Sequence, residues 1–188
     1  PSNVVKGTDV GLCSAVVSYP LPTFSDNCPG GSQALQSGGA SGTVFLKGTS
    51  SVVWRATDAE GLTSQCTFTV TVNDTQAPVI TCPASQTQTT ALNFCTAIVT
   101  YTTPTFTGNC SGGSVSIQSG LPSGSPFPKG INTVVWRATD ASNNTKTCTF
   151  RITVNDNQAP TISCPPNIST TTNPNLCTAL VTYSNATF

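Results

Sequence analysis

Cys66-Thr-Phe-Thr-Val-Thr-Val72 alternates a large apolar residue with threonine without a break, and Cys148-Thr-Phe-Arg-Ile-Thr-Val154 repeats the pattern in the same phase. A period of two is the signature of a half-buried β-strand, so Cys66, Phe68, Val70 and Val72 are predicted to face a core and Thr67, Thr69 and Thr71 to face water. Working outward, Val52-Val-Trp-Arg-Ala-Thr-Asp58 is a second strand with Val52, Trp54 and Ala56 inward, joined to the first through the turn residues Asp58-Ala-Glu-Gly61. That is a hairpin, and Val134-Val-Trp-Arg-Ala-Thr-Asp140 with Asp140-Ala-Ser-Asn-Asn144 builds it again. Cys95-Thr-Ala-Ile-Val-Thr-Tyr101 reads as another strand, with Cys95, Ala97, Val99 and Tyr101 on one side, and Val79 to Cys82 as a short opening one. Stretches such as Gly112-Gly-Ser114 and Pro122 to Gly130 are loops or short edge strands. No helical periodicity is present.

The copies are in strict register. Cys13, Cys28, Cys66, Cys82 and Cys95 recur 82 residues later as Cys95, Cys110, Cys148, Cys164 and Cys177, and Trp54 recurs as Trp136. A fixed period of this kind marks a tandem array. The expected units are residues 1–76, lacking a first strand, a complete unit 77–158, and the start of a third at 159–188. Because neither end falls at a unit boundary, the chain reads as a window on a longer array. Six or seven short strands per unit, with frequent turn signals, indicate an all-β fold: antiparallel immunoglobulin-like β-sandwiches strung end to end. The junctions Asn73-Asp-Thr-Gln-Ala-Pro78 and Asn155-Asp-Asn-Gln-Ala-Pro160 are short, which implies a stiff rod.

Composition narrows the function. Only seven basic and seven acidic residues occur among 188, with no histidine. No basic stripe for nucleic acid and no polybasic or bilayer-spanning segment is present, so neither nucleic acid nor membrane insertion is expected. Without histidine, and with the acids dispersed singly in turns, the chain has no base for a Ser or Cys nucleophile and no carboxylate pair for a glycosidase; it is read as no enzyme. Nine cysteines with neither a Cys-x-x-Cys pair nor histidine point to disulfides rather than zinc, and hence to an extracellular, oxidising setting. A unit this small needs such staples.

The unit resembles the hyalin repeat, or HYR domain. The resemblance rests on Ala77-Pro-Val-Ile-Thr-Cys-Pro83 and Ala159-Pro-Thr-Ile-Ser-Cys-Pro165 as openings. Asn109-Cys110, Ser123-Gly-Ser-Pro-Phe-Pro-Lys-Gly130, Ala138-Thr-Asp-Ala141 and Cys148 to Val154 match the centre and close. It implies an immunoglobulin-like module of extracellular and cell-surface proteins, often arrayed and associated with adhesion. Where the family has Gly-Asn after Ala-Thr-Asp-Ala, this chain has Ser142-Asn143 and Glu60-Gly61, a departure that bears on turn geometry.

Four cysteines per unit allow three connectivities. If the first and last strands of each sandwich run side by side and parallel, Cys82 meets Cys148, leaving local bridges Cys95–Cys110 and Cys13–Cys28. Cys66 then needs a partner immediately before Pro1, and Cys164 and Cys177 partners beyond Phe188. The rival scheme crosses each junction as Cys66–Cys82 and Cys148–Cys164. It requires a hairpin at Asp74, because sixteen extended residues otherwise separate the sulfurs too far.

Asp74 and Asp156 are candidate calcium ligands, since Asn155 to Pro160 is superficially like a cadherin junction, but companion acidic motifs are missing and a turn role explains them. Asn73, Asn109, Asn143, Asn167 and Asn185 head glycosylation sequons, with Asn143 best placed; O-linked sugar on Thr170-Thr-Thr172 is a further option. Trp54 and Trp136 stand in core phase rather than as sugar platforms. The expected function is a structural, disulfide-stapled extracellular repeat protein forming a cell-surface rod, fibre or filament in adhesion or surface assembly. Its expected partners are further copies of itself and cell-surface glycans or proteins. The alternative is a carbohydrate-binding or spacer module of a larger secreted enzyme.

Overall fold

The computed structural model describes residues 1–187. The first repeat contains β1 (Val4–Gly7), β2 (Ser14–Val17), β3 (Ser32–Ser37), β4 (Thr43–Leu46), β5 (Gly48–Thr57) and β6 (Thr63–Asn73). The second contains β7 (Val79–Thr81), β8 (Gln86–Thr89), β9 (Thr96–Val99), β10 (Thr105–Thr107), β11 (Gly113–Ser119), β12 (Ser125–Pro128), β13 (Gly130–Asp140) and β14 (Thr145–Asn155). No helix occurs among the described residues.

Each repeat pairs one long hairpin with flanking strands. In the second, the sheet order is β11-β13-β14-β8, with β8 parallel to β14 and the other neighbours antiparallel. The opposing layer holds β12 against β9 and β10 against β7. The first repeat reproduces this as β1-β6-β5-β3 facing β2-β4. Both are immunoglobulin-like sandwiches. The opening segment of the complete unit is divided between layers: β7 joins β10 and β8 joins β14. Pro126 and Pro128 lie in β12, an edge strand paired only with β9, where the missing amide hydrogen breaks no ladder.

The predicted alternation is what fills the space between the sheets. Phe68, Val70 and Val72 are buried with Ala15, Val17, Tyr19, Phe45 and Val52. Their counterparts 82 residues on, Phe150, Ile152, Val154, Ala97, Val99, Tyr101, Phe127 and Val134, form the second core. Each fully buried side chain of this kind stabilises its repeat by roughly 1.5–3 kcal/mol. The tyrosines fix the loop ahead of β4 and β12: Tyr19 Oη donates to Gly39 O at 2.6 Å and Tyr101 Oη to Leu121 O at 2.7 Å. The adjacent bulges in β3 and β11 end in Gly38 and Gly120 at φ 87° and 91°, where a Cβ would sit 2.6 Å from a backbone oxygen of the neighbouring strand. Only glycine fits there.

Trp54 and Trp136 pack half-buried against their cores, as their phase predicts. Cys66 departs from its phase. It is exposed, whereas Cys148, its counterpart, is half-buried beneath β7.

Candidate functional site

The chemistry of this chain is concentrated where the two repeats meet. β6 runs into the linker Asp74-Thr-Gln-Ala-Pro78, and Asp74 is only 7% exposed although it carries a carboxylate. A charge so placed needs donors. Its Oδ1 accepts from the Asn109 side-chain amide at 3.0 Å and from the Gln76 backbone N–H at 3.1 Å, while Oδ2 accepts from the Ser142 hydroxyl at 3.2 Å. The Asp74 carbonyl accepts from Asn144 Nδ2 at 3.1 Å. Asn109, Ser142 and Asn144 all belong to the second repeat, so one linker side chain organises contacts across the junction.

Each partner is itself held. Asn109 Nδ2 also reaches Leu12 O at 3.0 Å and Thr8 Oγ1 at 3.3 Å, binding the loop after β10 to the first repeat. Lys47 of the first repeat donates to Ser142 Oγ at 2.6 Å, which passes its own hydrogen to Asp74. Buried Asp140 shapes the turn that presents Ser142 and Asn144, accepting from both their backbone amides at 2.8 Å. Gln76 clamps the linker onto the first repeat by donating to Thr8 Oγ1 and Asp9 O and accepting from Gly11 N. Gln158 makes the same clamp on Thr90, Ala91 and Asn93.

A disulfide closes the junction. Cys13 is bonded to Cys110, 97 positions away in sequence, with a Cα–Cα separation of 4.8 Å. This corrects the sequence expectation: neither Cys13–Cys28 nor Cys95–Cys110 is present. The cause is the Asn109 amide, which anchors the loop bearing Cys110 on Thr8 and Leu12, one residue from Cys13. Cys82 is bonded to Cys148 within the second repeat, Cα–Cα 5.8 Å, so the cross-junction pairs Cys66–Cys82 and Cys148–Cys164 are absent too. Cys28, Cys66, Cys95, Cys164 and Cys177 are exposed and unpaired.

The geometry also redistributes the other candidates. Asn109 conflicts with its role as a glycan acceptor, because the nitrogen that would carry the sugar is committed to the junction and Cys110 beside it is buried. Asn73, Asn143, Asn167 and Asn185 are exposed, Asn143 at the left-handed φ of 66° in the β13–β14 turn. Asp156, the counterpart of Asp74, accepts from the Gln158 N–H at 3.1 Å and pairs with Lys129 at 3.5 Å. Among the described residues no three His, Cys, Asp or Glu side chains converge on a point where a metal ion would fit. No helix of the described residues is long and apolar enough to cross a membrane.

Sequence reasoning missed the junction role of Asn109, Ser142, Asn144 and the linker glutamines. A signal existed for two of these: Gln76 recurs as Gln158, and Ser142 is the point of departure from the family's usual turn.

Burial alone would raise the Asp74 carboxyl, but the donors from Asn109, Gln76 and Ser142 and the charge of Lys47 outweigh it and hold the group below its ordinary 3.8. A carboxyl depressed on folding contributes stability that is complete above its unfolded value and is lost as pH falls through the folded one. The junction is therefore expected to loosen below about pH 3.8 while the apolar cores persist. Asp74→Ala, which strands the donors on its carboxylate, is expected to cost about 1–3 kcal/mol and a few degrees of Tm at neutral pH. The penalty should shrink on acidification. A penalty independent of pH would mean that the carboxylate does not organise the junction.

Residues 1–72 and 73–154 each match the HYR domain. The chain is 34% identical over 190 residues to hyalin of Strongylocentrotus purpuratus, covering 98% of this chain and 16% of that protein. It is 33% identical over 168 residues to hyalin of Lytechinus variegatus, covering 86% of this chain and 31% of the relative. It thus spans less than a third of either. Among solved structures, Drosophila N-cadherin EC1-3 aligns at TM-score 0.45 and 10% identity, covering 86% of this chain and 66% of that one. Two consecutive matches that together take in most of the sequence mean that the chain belongs to the HYR domain family.

Proposed function

We propose that this chain is a structural segment of an extracellular rod or fibre, in which HYR units bounded at 76/77 and 158/159 are locked end to end and serve surface assembly or adhesion. The observation that carries the reading is the Cys13–Cys110 bridge, which spans two repeats and lies beside the Asp74 network. A flexible spacer gains nothing from a covalent clamp and a buried carboxylate at its joint, whereas a stiff element does. Disulfides in both positions fit an oxidising, extracellular location. The partners are further copies of the chain, with cell-surface proteins or glycans at the ends or along the sides. Glycans on Asn73, Asn143, Asn167 or Asn185 would shield a surface with very few charges. Catalysis has no candidate constellation here, since histidine is absent and the buried acids Asp74 and Asp140 are satisfied by hydrogen bonds within the junction.

Rigidity is the testable property. NMR relaxation of the oxidised chain is expected to show the first and second repeats tumbling as one elongated body, and reduction to give them separate correlation times. Independent tumbling while Cys13–Cys110 is intact would overturn the rod reading. The joint works without calcium in this account, because Asn109, Gln76 and Ser142 fill the acceptor positions on Asp74 that a cation would take. Addition of EDTA is thus expected to leave Tm and tumbling unchanged; a fall of several degrees reversed by calcium would show a bound ion at the joint.

A further inference from the structure

The two repeats differ along one sheet edge, and the difference lies in two main-chain donors. β4 pairs with β2 and β12 with β9, in registers that set Phe45 against Ala15 and Phe127 against Ala97. The Lys47 N–H donates to Cys13 O at 3.1 Å and the Lys129 N–H to Cys95 O at 2.9 Å, so the odd-numbered residues turn their main-chain groups towards the ladder. Alternation then turns the amides and carbonyls of Val44 and Leu46, and the carbonyls of Pro126 and Pro128, away from it. Val16, opposite Val44, has the same phase. Its N–H donates to Asp9 Oδ2 at 2.8 Å and its carbonyl accepts from Lys6 Nζ at 2.7 Å, so neither group reaches β4.

Both β4 and β12 pair with a single strand among the described residues. The open edge recurs in the two repeats and is a property of the fold. In β12 the prolines remove the two outward donors, a device that keeps other strands from adding to an edge. β4 has no such guard. Its outward positions are Val44, 61% exposed, and Leu46, 73% exposed, with buried Phe45 between them. On the other side of this layer Lys6 and Asp9 occupy the outer groups of Val16, which leaves β4 as the edge free to pair.

We propose that β4 adds to β4 of a second copy of this chain, antiparallel about a two-fold axis at Phe45. In this register Val44 of each chain lies opposite Leu46 of the other. Both residues turn N–H and C=O outward, so each such pair exchanges two main-chain bonds and the dimer gains four. The same register sets the Val44 side chain beside Leu46 of the second copy on the outer face, next to the half-exposed Val16. A two-fold axis at Val44 would instead place Leu46 opposite Gly42, and one at Leu46 would place Val44 opposite Gly48. The strand is thus complementary to itself in one register, apolar against apolar. An isologous contact uses the edge up and closes as a dimer, while the prolines of β12 keep the second repeat from extending the sheet.

This deepens the fibre reading, on which it rests for its use, by naming the contact that joins rods flank to flank. The two fail separately: a stiff joint in a chain that stays monomeric sinks only the edge pairing, and a dimer with a flexible joint sinks only the rod.

Four main-chain bonds and a small apolar patch make a weak contact, so the test runs at chain concentrations up to about 1 mM. The purified 188-residue chain, its exposed thiols alkylated so that no disulfide joins copies, is followed by sedimentation equilibrium and amide exchange. Expected is a reversible dimer in which the Val44 and Leu46 amides become protected, with intermolecular contacts between Val44 and Leu46 methyls in a mixed-isotope sample. Val44→Pro with Leu46→Pro gives β4 the residues that β12 carries at the same positions, and removes only outward donors. It is expected to weaken the dimer at least tenfold and to leave Tm unchanged. The reciprocal Pro126→Val with Pro128→Leu is expected to open a second edge and carry association beyond the dimer. A monomer at every concentration, a dimer that the β4 prolines leave intact, or protection at β3 or β11 in place of β4 would each overturn the proposal. Should the β4 proline variant fail to fold, the reciprocal variant decides, and association no stronger than the parent's would overturn it.

Discussion

Replacing Cys13 and Cys110 together by serine is expected to lower the stability of the joined repeats by about 4–5 kcal/mol and to split one unfolding transition into two. The bridge closes a loop of 97 residues, and on the chain-entropy account a loop near that size restricts the unfolded ensemble by about 4.7 kcal/mol at 25 °C. The loop includes most of the first repeat after β1, the linker, and the second repeat through β10. Its loss therefore acts on both cores at once. With the bridge present, unfolding of either repeat pulls on the Asp74 network and on its neighbour; without it, only hydrogen bonds and the linker remain. Calorimetry of the variant against the parent checks this. A single transition at the parental temperature would mean that the bridge carries no coupling. The Asn109→Ala variant, with both cysteines retained, is expected to have a smaller effect, since it removes the group that positions Cys110 and not the covalent bond.

Removing the second bridge tests a different layer. Cys82→Ser with Cys148→Ser opens a loop of 66 residues, a change of roughly 4 kcal/mol by the same reasoning. The specific expectation is local. β7 is three residues long and pairs only with β10 among the described residues, so without its tether it should detach and expose Phe106. Hydrogen exchange at Val79 to Thr81 and Thr105 to Thr107 reads this directly. Fast exchange there in the variant, with β13 and β14 still protected, is the expected pattern. Slow exchange would show that β7 is held by its apolar contacts alone.

The sandwich was legible in the sequence because its signals are local. Alternation through Phe68, Val70 and Val72 sets the face of β6, and the 82-residue period transfers that reading to β14 without further assumption. Val52, Trp54 and Tyr101 fell into place for the same reason. The joint was not legible, because its geometry depends on how one repeat leans on the next. Nothing in the spacing of Cys95 and Cys110 says that the loop after β10 turns towards another repeat; that follows from Asn109 finding Leu12 O and Asp74, which lie 97 and 35 positions away. Cys66 shows the complementary limit. Its phase is that of a core residue, yet phase assigns a face and not the strand that covers it.

The account stands most directly on which sulfur Cys13 meets, and partial proteolysis of the oxidised chain under non-reducing conditions, followed by mass mapping, answers it in one measurement. A peptide pair joining Cys13 to Cys110 is the result predicted by the structure. Pairs joining Cys13 to Cys28 and Cys95 to Cys110 would confine the bridges within repeats and contradict a covalently locked joint.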